Sequence, residues 1–161
     1  MDNTAIEINR LPLEIKTTLF VLQQLFSDEY ILSGSIADYL NICKQTEYFV
    51  PHDVDITITP QQLKVLQKHY FLRKVEGIYR QNVIDEYYTF IYGCNVDIFV
   101  KKQPIKEKTV LYDKGCWKIR HQSSDERKQQ HSKALTLPIS DHRKRKHQKR
   151  LTFYRLYENN I

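Results

Sequence analysis

Apolar and polar residues alternate with two different periods in the first hundred residues of the chain. Segment 11–26 carries apolar side chains at helical spacing, which predicts an amphipathic helix. A short apolar strand at 30–33 follows. After the pair Gly34-Ser35 the helical spacing returns and continues to Cys43, with Ser35 as the predicted N-cap. The predicted order is strand, tight turn and helix.

More strands are predicted beyond that helix. Residues 54–59 alternate in the manner of a strand, and the Thr-Pro pair at its end is a typical helix start. Two β-rich stretches, 70–80 and 83–92, are joined by a polar turn, and the apolar run NVDIFV predicts a last strand. These elements indicate an α/β (α+β) fold, with a mixed β-sheet flanked by helices.

The pattern weakens after Lys101. Residues 110–120 are compatible with one more short strand, whereas residues 121–133 are polar and show no apolar period. Ser140 and Asp141 then make a good start for a C-terminal helix, which carries an apolar stripe after several basic turns.

The net charge of +6 is concentrated in that last helix. Residues 141–150, DHRKRKHQKR, contain six Lys or Arg and one Asp, which gives +5, while 151–161 sum to zero; the first 140 residues carry the remaining +1. Basic blocks of this kind often contact phosphate backbones, but a solvated helix face is an equally good explanation. The candidate acceptor-binding residues in the block are Arg143, Lys144, Arg145 and Lys146.

Composition excludes several classes of protein. The chain has 161 residues, 41% of them hydrophobic and 27% charged, which is a globular composition and enough to bury a core. Its first residues are acidic where a secretory signal is basic, and no stretch approaches the roughly 18 apolar residues of a membrane span. The three cysteines lack the spacing of a zinc or redox site. We therefore expect a cytoplasmic protein with no membrane partner.

Three aspartates stand where carboxylates are costly to place. Residues two apart on a strand project to the same face, so Asp53 and Asp55 are predicted to lie side by side. Asp97 lies between apolar residues of NVDIFV, where a desolvated carboxylate needs a partner or a metal ion. Like charges this close require a cation, and hard oxygen ligands favour magnesium. The three aspartates are therefore predicted to be metal ligands.

The pair Gly34-Ser35 predicts a phosphate-binding turn. Glycine allows the backbone to approach an anion, serine offers a hydroxyl and an amide, and the amino end of a helix attracts negative charge. Taken alone, such a pair is usually an ordinary turn with an N-cap, and two acids near a strand start are usually an exposed pair. Their order, with a third aspartate on a later strand, favours nucleotide chemistry.

The motifs LSGSIADYL, HDVDITIT and NVDIFV resemble those of the nucleotidyltransferase superfamily, which includes DNA polymerase beta and the minimal nucleotidyltransferases. The resemblance covers about residues 30–100. It implies two Mg²⁺ or Mn²⁺ ions and a nucleoside triphosphate, such as ATP, as substrate. The implied reaction transfers a nucleoside monophosphate to an acceptor hydroxyl and releases pyrophosphate.

The resemblance also implies a role for each motif residue. Asp53 and Asp55 would bridge the metal ions, and Asp97 would be the third ligand, which helps to deprotonate the acceptor. Gly34 and Ser35 would hold the β and γ phosphates. No motif identifies the basic residues that neutralise the triphosphate. The candidates are Lys133, Arg143 and Lys144.

The sequence departs from the family pattern between its first two motifs. The run from Ser35 to Asp53 is longer than usual, because KQTEYFVPH adds an extended loop, and His52 stands where a small residue is common. We interpret the overall organisation as one domain, with a nucleotidyltransferase catalytic core at 1–110 and a C-terminal extension, 111–161, whose basic helix packs on the core.

The acceptor and one other class of function stay open. The acceptor is either RNA, such as tRNA, or a partner protein, as for minimal nucleotidyltransferases that are paired with toxins. The alternative is a non-catalytic, antitoxin-like protein in which the basic block binds nucleic acid or a partner and the carboxylates are structural.

Two groups of ring side chains are interpreted as structural. The first group is read as surface histidines without ligand spacing: His121, His131, His142 and His147. The second is read as packing residues on strands rather than a base-stacking platform: Tyr87, Tyr88 and Tyr92.

Overall fold

The computed structural model describes residues 6–42, 50–77 and 82–157. Its helices are α1 (Ile6–Asn9), α2 (Leu13–Phe26), α3 (Gly34–Ile42), α4 (Pro60–His69), α5 (Ser124–Ala134) and α6 (Asp141–Tyr157). Its strands are β1 (Ile31–Ser33), β2 (Asp53–Ile58), β3 (Arg73–Lys74), β4 (Asp85–Ile91), β5 (Cys94–Val100), β6 (Thr109–Lys114) and β7 (Trp117–Gln122). A short 3₁₀ helix spans Lys106–Lys108.

The seven strands found in the described residues belong to one sheet, in the order β3-β4-β5-β2-β1-β7-β6. β2 runs parallel to β5 and β1 parallel to β7, and the other neighbours are antiparallel. This mixed sheet with flanking helices confirms the predicted fold class. The predicted division at residue 110 falls inside β6, and β7 pairs with β1, so both stretches contribute strands to the same sheet. The division itself stays a prediction.

The core lies against one face of the sheet. Along the two central strands every second residue is buried, as Val54 and Ile56 are on β2 and Val96 is on β5. These side chains share one hydrophobic cluster with Leu22 of α2 and Leu66 of α4. The opposite face of the same strands therefore carries the polar residues. Within the described ranges, every helix is too short or too polar to reach across a bilayer.

The Thr-Pro pair starts a helix as expected, and a tight turn closes the β4–β5 hairpin. α4 starts with a capping box, in which Thr59 and Gln62 each satisfy a backbone amide of the other. β4 turns into β5 through Tyr92 and Gly93, which have φ values of 50° and 79°. Positive φ at both central residues is typical of the two-residue turn whose twist suits a hairpin.

The sequence pattern misses or shortens several elements. The stretch 110–120 contains parts of two strands, β6 and β7, and α5 occupies much of the polar stretch 121–133. Of the predicted stretch 70–80 the structure describes residues 70–77, in which β3 is only two residues long. Cys43, the loop at 44–49, residues 78–80 of the predicted stretch and the turn residue Gln81 lie outside the described residues.

A buried polar cluster explains why α5 has no apolar period. Asp38 of α3 is 1% exposed, and both of its oxygens accept hydrogen bonds from Arg127, at 2.9 and 3.0 Å. The Tyr154 hydroxyl donates to Asp38 at 2.6 Å, and the His131 Nε2 lies 2.9 Å from it. α5 and α6 are therefore attached to α3 by charged and polar groups. The surface interpretation is wrong for His131 and for His121, which are each 3% exposed.

The same contacts set the charge of Asp38. Burial alone would raise the pKa of this carboxyl, but hydrogen bonds from His131 and Arg127 and the Arg127 charge outweigh burial and hold the pKa well below its usual range. A carboxyl with a lower pKa in the folded state stabilises the fold above its unfolded pKa, near 4, and this stabilisation is lost as the pH falls further.

We predict that Asp38→Asn lowers the free energy of unfolding by about 3 kcal/mol or more at pH 7, because it leaves the buried Arg127 without its anion. Urea unfolding at pH 7, 5 and 3 measures the effect. The difference between the two proteins should be smaller at pH 3 than at pH 5, because wild type begins to lose the contribution of the ionised carboxyl as the pH falls below the unfolded pKa. Asp125→Asn, at a side chain that is 86% exposed, is the matched control and should change little. A pH-independent difference would contradict the assignment.

Candidate active site

The strand register brings the predicted carboxylates to one face of the sheet. Ser33 of β1 lies opposite Asp55 of β2, and Asp55 lies opposite Asp97 of β5. Directly opposed residues on neighbouring strands share a face, and the strands are about 4.8 Å apart. Asp53 lies opposite Asn95 on the same face, two residues before Asp55. The three aspartates therefore form one group, on the face away from the core.

The Asp55 and Asp97 carboxyl groups lie close enough to share a hydrogen bond. Burial, then the charge of Asp97 and the hydrogen bond with it, raise the pKa of Asp55 to about 7. Burial also raises the pKa of Asp97, although Asn95 Nδ2 donates a hydrogen bond to Asp97 Oδ2 at 3.2 Å. Two carboxylates in contact cannot both keep a full negative charge without a compensating cation. In the protein alone a shared proton fills that role near neutral pH.

Gly34 lies directly against the Asp55 member of this pair. Its φ is +63°, and a Cβ built on it would lie 1.9 Å from Oδ2 of Asp55. The position therefore excludes side chains for two separate reasons, the backbone conformation and the space. The group that approaches Gly34 closely is the Asp55 carboxyl itself. The prediction that Ser35 is the N-cap of α3 is wrong. α3 begins at Gly34, so Ser35 lies in its first turn.

The donor set fits a hard divalent cation. Carboxylate oxygens are the ligands that Mg²⁺ prefers, and Mg²⁺ usually takes one or two carboxylates from the protein and completes its shell with water and substrate phosphates. Asp55 and Asp97 supply such a pair, and Asp53 lies beside them on the more exposed end of β2. In the described part of the chain, no three Asp, Glu, His or Cys side chains are spaced to enclose an ion by themselves. Oxygens from a substrate would therefore be needed to complete a site.

Arg127 is the cation that sequence reasoning missed. Its positive charge lowers the pKa of Asp55, while Asp38 and Gln130 accept its hydrogen bonds. Its side chain is only 11% exposed. The sequence did contain a signal for this cluster, because Asp38 stands in the apolar run IADYL. The desolvation argument that singled out Asp97 applies equally to Asp38.

The other basic candidates lie on the C-terminal helices. α6 packs against α5 and α3. Its basic block, residues 141–150, is largely exposed, and two of its six Lys and Arg side chains, Lys144 and Arg150, are half-buried. Lys133, at the end of α5, is also exposed. The exposed members of the predicted acceptor-binding set are Arg143, Arg145 and Lys146.

Comparisons with known proteins support the fold. No protein-family model matches the sequence, and no curated protein matches it. Among solved structures, the chain is similar to a "putative nucleotidyltransferase" from Thermotoga maritima, with a TM-score of 0.53 and 16% sequence identity, over 78% of this chain and 89% of that chain. At this identity the similarity shows the fold alone. The chain therefore has a nucleotidyltransferase-like fold, in agreement with the resemblance of its motifs.

We predict that Gly34→Ala destabilises the protein by more than the cost of its backbone conformation. Gly93→Ala is the control, because Gly93 has φ +79° and nothing within 4 Å of an added Cβ. The control should cost about 1–2 kcal/mol, and Gly34→Ala about 1–3 kcal/mol more, because the methyl group displaces the Asp55 carboxyl.

A double-mutant cycle isolates that contact. Asp55→Ala removes the two carboxyl atoms that would lie 1.9 and 2.8 Å from a Cβ on residue 34. It leaves the Cβ of residue 55, which would lie 3.2 Å from it. In this background, Gly34→Ala should cost about as much as Gly93→Ala does, as measured by urea unfolding. Equal costs for Gly34→Ala with and without Asp55 would show that the carboxyl does not limit this position.

Proposed function

We propose that the protein is a metal-dependent nucleotidyltransferase. It would transfer a nucleoside monophosphate from a nucleoside triphosphate to an acceptor hydroxyl and release pyrophosphate. The observation that carries the proposal is the direct opposition of Asp55 and Asp97 in the sheet, beside the Gly34 turn and within a nucleotidyltransferase-like fold. A carboxylate pair that requires a cation, next to a helix start, suits a substrate made of a triphosphate and a divalent metal.

Each part of the site has a distinct task in this reaction. Two bound divalent ions would neutralise the triphosphate and stabilise the entering and leaving oxygens at the α-phosphorus. Asp53, Asp55 and Asp97 would hold them, and Asp97 would also accept the proton of the acceptor hydroxyl. A new bond forms between the acceptor oxygen and the α-phosphorus as the bond to pyrophosphate breaks. The reaction needs no covalent nucleophile from the protein.

The amino end of α3 would bind the leaving phosphates. Gly34 and Ser35 form its first residues, and the free amides of a first turn attract anions. The helix is fixed further along by Asp38, which binds Arg127. The direction of this turn is therefore held by the buried cluster, while the Arg127 charge adds positive potential near Asp55.

A nucleic acid is the acceptor that the surface favours. Most of the basic block on α6 is exposed, and it holds +5 of the net charge of +6. An exposed basic helix attracts a polyanion over a long range and binds its phosphates without sequence preference. If the following tests fail, the results would favour one of two alternatives. Either the acceptor is a partner protein, or the chain is a non-catalytic binding protein with the same fold.

We predict that Asp55→Asn and Asp97→Asn each reduce transfer of label from a nucleoside triphosphate by at least about 100-fold, because each removes a metal ligand. The assay is incorporation of α-labelled nucleotide into total RNA with Mg²⁺. Neither variant should lower the melting temperature, since each relieves repulsion within the pair.

The matched control is Asp113→Asn, at an exposed position on β6. It should retain full activity. Wild-type activity in the Asp55→Asn, Asp97→Asn double variant would exclude these residues from catalysis. No incorporation by wild type into RNA or protein, with each of the four nucleotides, would favour the non-catalytic alternative.

We predict that neutralising the basic block weakens RNA binding and flattens its dependence on salt, because fewer counterions are released. The variant replaces four residues by Gln: Arg143, Lys144, Arg145 and Lys146. The slope of log affinity against log salt should fall by ~0.7 for each lost contact with single-stranded phosphate. Nucleotide binding should change much less.

The matched control replaces four exposed lysines elsewhere: Lys64, Lys68, Lys102 and Lys118. It removes the same charge from other surfaces and should leave most of the slope intact. An equal loss in both variants would mean that net charge, and not the basic block, determines RNA binding.

A further inference from the structure

An aromatic surface continues the carboxylate face toward the β3 edge of the sheet. Tyr88 of β4 lies opposite Asp97, and Arg73 of β3 lies opposite Tyr88. Two residues further along β4, Phe90 lies opposite Asn95 of β5. Because directly opposed residues share a face, Tyr88, Phe90 and Arg73 lie on the same face as the carboxylates. With Phe71, whose ring lies 6.0 Å from the Arg73 guanidinium, we define them as the aromatic platform.

The rings of this platform are open to solvent. Phe71 is 80% exposed and Phe90 is 63% exposed, while Tyr88 is half-buried. The Tyr88 and Phe90 rings meet edge to face, with their centroids 6.5 Å apart. The packing interpretation of Tyr88 therefore describes only part of its surroundings, since this side chain lies beside Asp97 and not in the core. Clustered exposed rings next to a polar site are typical of a binding surface.

We propose that the aromatic platform binds the bases at the end of a single-stranded nucleic acid acceptor, which stack on Tyr88 and Phe90. The inference rests on the proposed function for its choice of the acceptor. In an in-line displacement the attacking and leaving oxygens lie on opposite sides of the phosphorus. The Gly34 turn lies on the β1 side of Asp55, and the platform lies on the β4 side of Asp97. Pyrophosphate leaving toward Gly34 places the incoming hydroxyl on the platform side.

The chemistry of the platform fits bases better than a protein surface. Its Tyr88 and Phe90 rings lie opposite Asp97 and Asn95, and aspartate is depleted at protein interfaces. Bases stack on aromatic rings and on guanidinium groups without regard to sequence. The Arg73 charge, at the edge of the sheet, is placed to offset the repulsion between the carboxylates and the phosphates of a strand.

The test measures binding without catalysis. A fluorescein-labelled ten-residue oligo(U) and an abasic strand with the same phosphates are titrated with protein in EDTA, without nucleotide, and followed by anisotropy. Wild type should bind oligo(U) at least about tenfold more tightly than the abasic strand. A matching oligo(dU), which differs from oligo(U) only in the sugar, separates an RNA acceptor from a DNA acceptor, since the tighter binder identifies the sugar.

The variant Tyr88→Leu, Phe90→Leu removes both stacking rings and keeps apolar side chains. It should lose roughly tenfold or more in affinity for the base-containing strand and nothing for the abasic strand, with an unchanged salt slope. Phe20→Leu, at a ring on α2 that is 50% exposed, is the matched control and should bind as wild type does. Melting temperatures show that the variants are folded, and the two single variants replace the double variant if it is not.

Three results would overturn the proposal. The first is equal binding of the base-containing and abasic strands by wild type, and the second is no effect of the ring substitutions on that difference. The third is a change in sedimentation from dimer to monomer in the double variant with unchanged strand binding, which would assign the rings to contact with a second copy. Base-dependent binding by a protein that transfers no label would contradict the proposed function and leave the platform in place.

Discussion

The contact between the Asp55 and Asp97 carboxyl groups is the constraint around which the site is arranged. Parallel pairing of β2 with β5 sets these residues opposite each other, and burial raises the pKa of both. Such a pair is unfavourable unless a proton or a cation lies between the oxygens. The sheet therefore holds a position for positive charge before any substrate arrives. In the proposed function, the metal ions that accompany a nucleoside triphosphate would supply that charge.

Gly34, which follows β1, lies against the Asp55 carboxyl of this pair. The usual reason for glycine in a strand-to-helix turn is the approach of a phosphate. Here the Asp55 carboxyl occupies the space that a Cβ would need. One residue thus fixes the orientation of a metal-ligand candidate and starts the helix whose amides face the phosphate candidate site. A single glycine therefore links the two halves of the proposed chemistry.

Much of the sheet and the carboxylate group could be predicted from periodicity and from the motifs, because each involves residues close in sequence or a repeated pattern. Asp53 and Asp55 share a strand, and Asp97 lies in a clearly apolar one. α5 could not be predicted in this way, since its buried face is made by Arg127 and His131 and is polar. Its partners are about 90 residues away in sequence, and only the tertiary fold brings them together. The register between strands, which places Tyr88 opposite Asp97, likewise cannot be predicted from the residue pattern along one strand.

α3 connects the chemistry to the C-terminal helices. Its first residue is Gly34, and one turn later Asp38 binds Arg127 of α5, while Tyr154 of α6 donates to the same carboxyl. Charged and polar contacts of this kind specify one arrangement more strictly than apolar contacts do, because each buried group left unpaired is costly. The basic block on α6 is therefore held at a defined position relative to the turn that begins α3. If α6 captures a polyanion, the Asp38 cluster determines where that polyanion enters relative to the carboxylates, so a side chain far from the reacting atoms would govern the alignment of the acceptor.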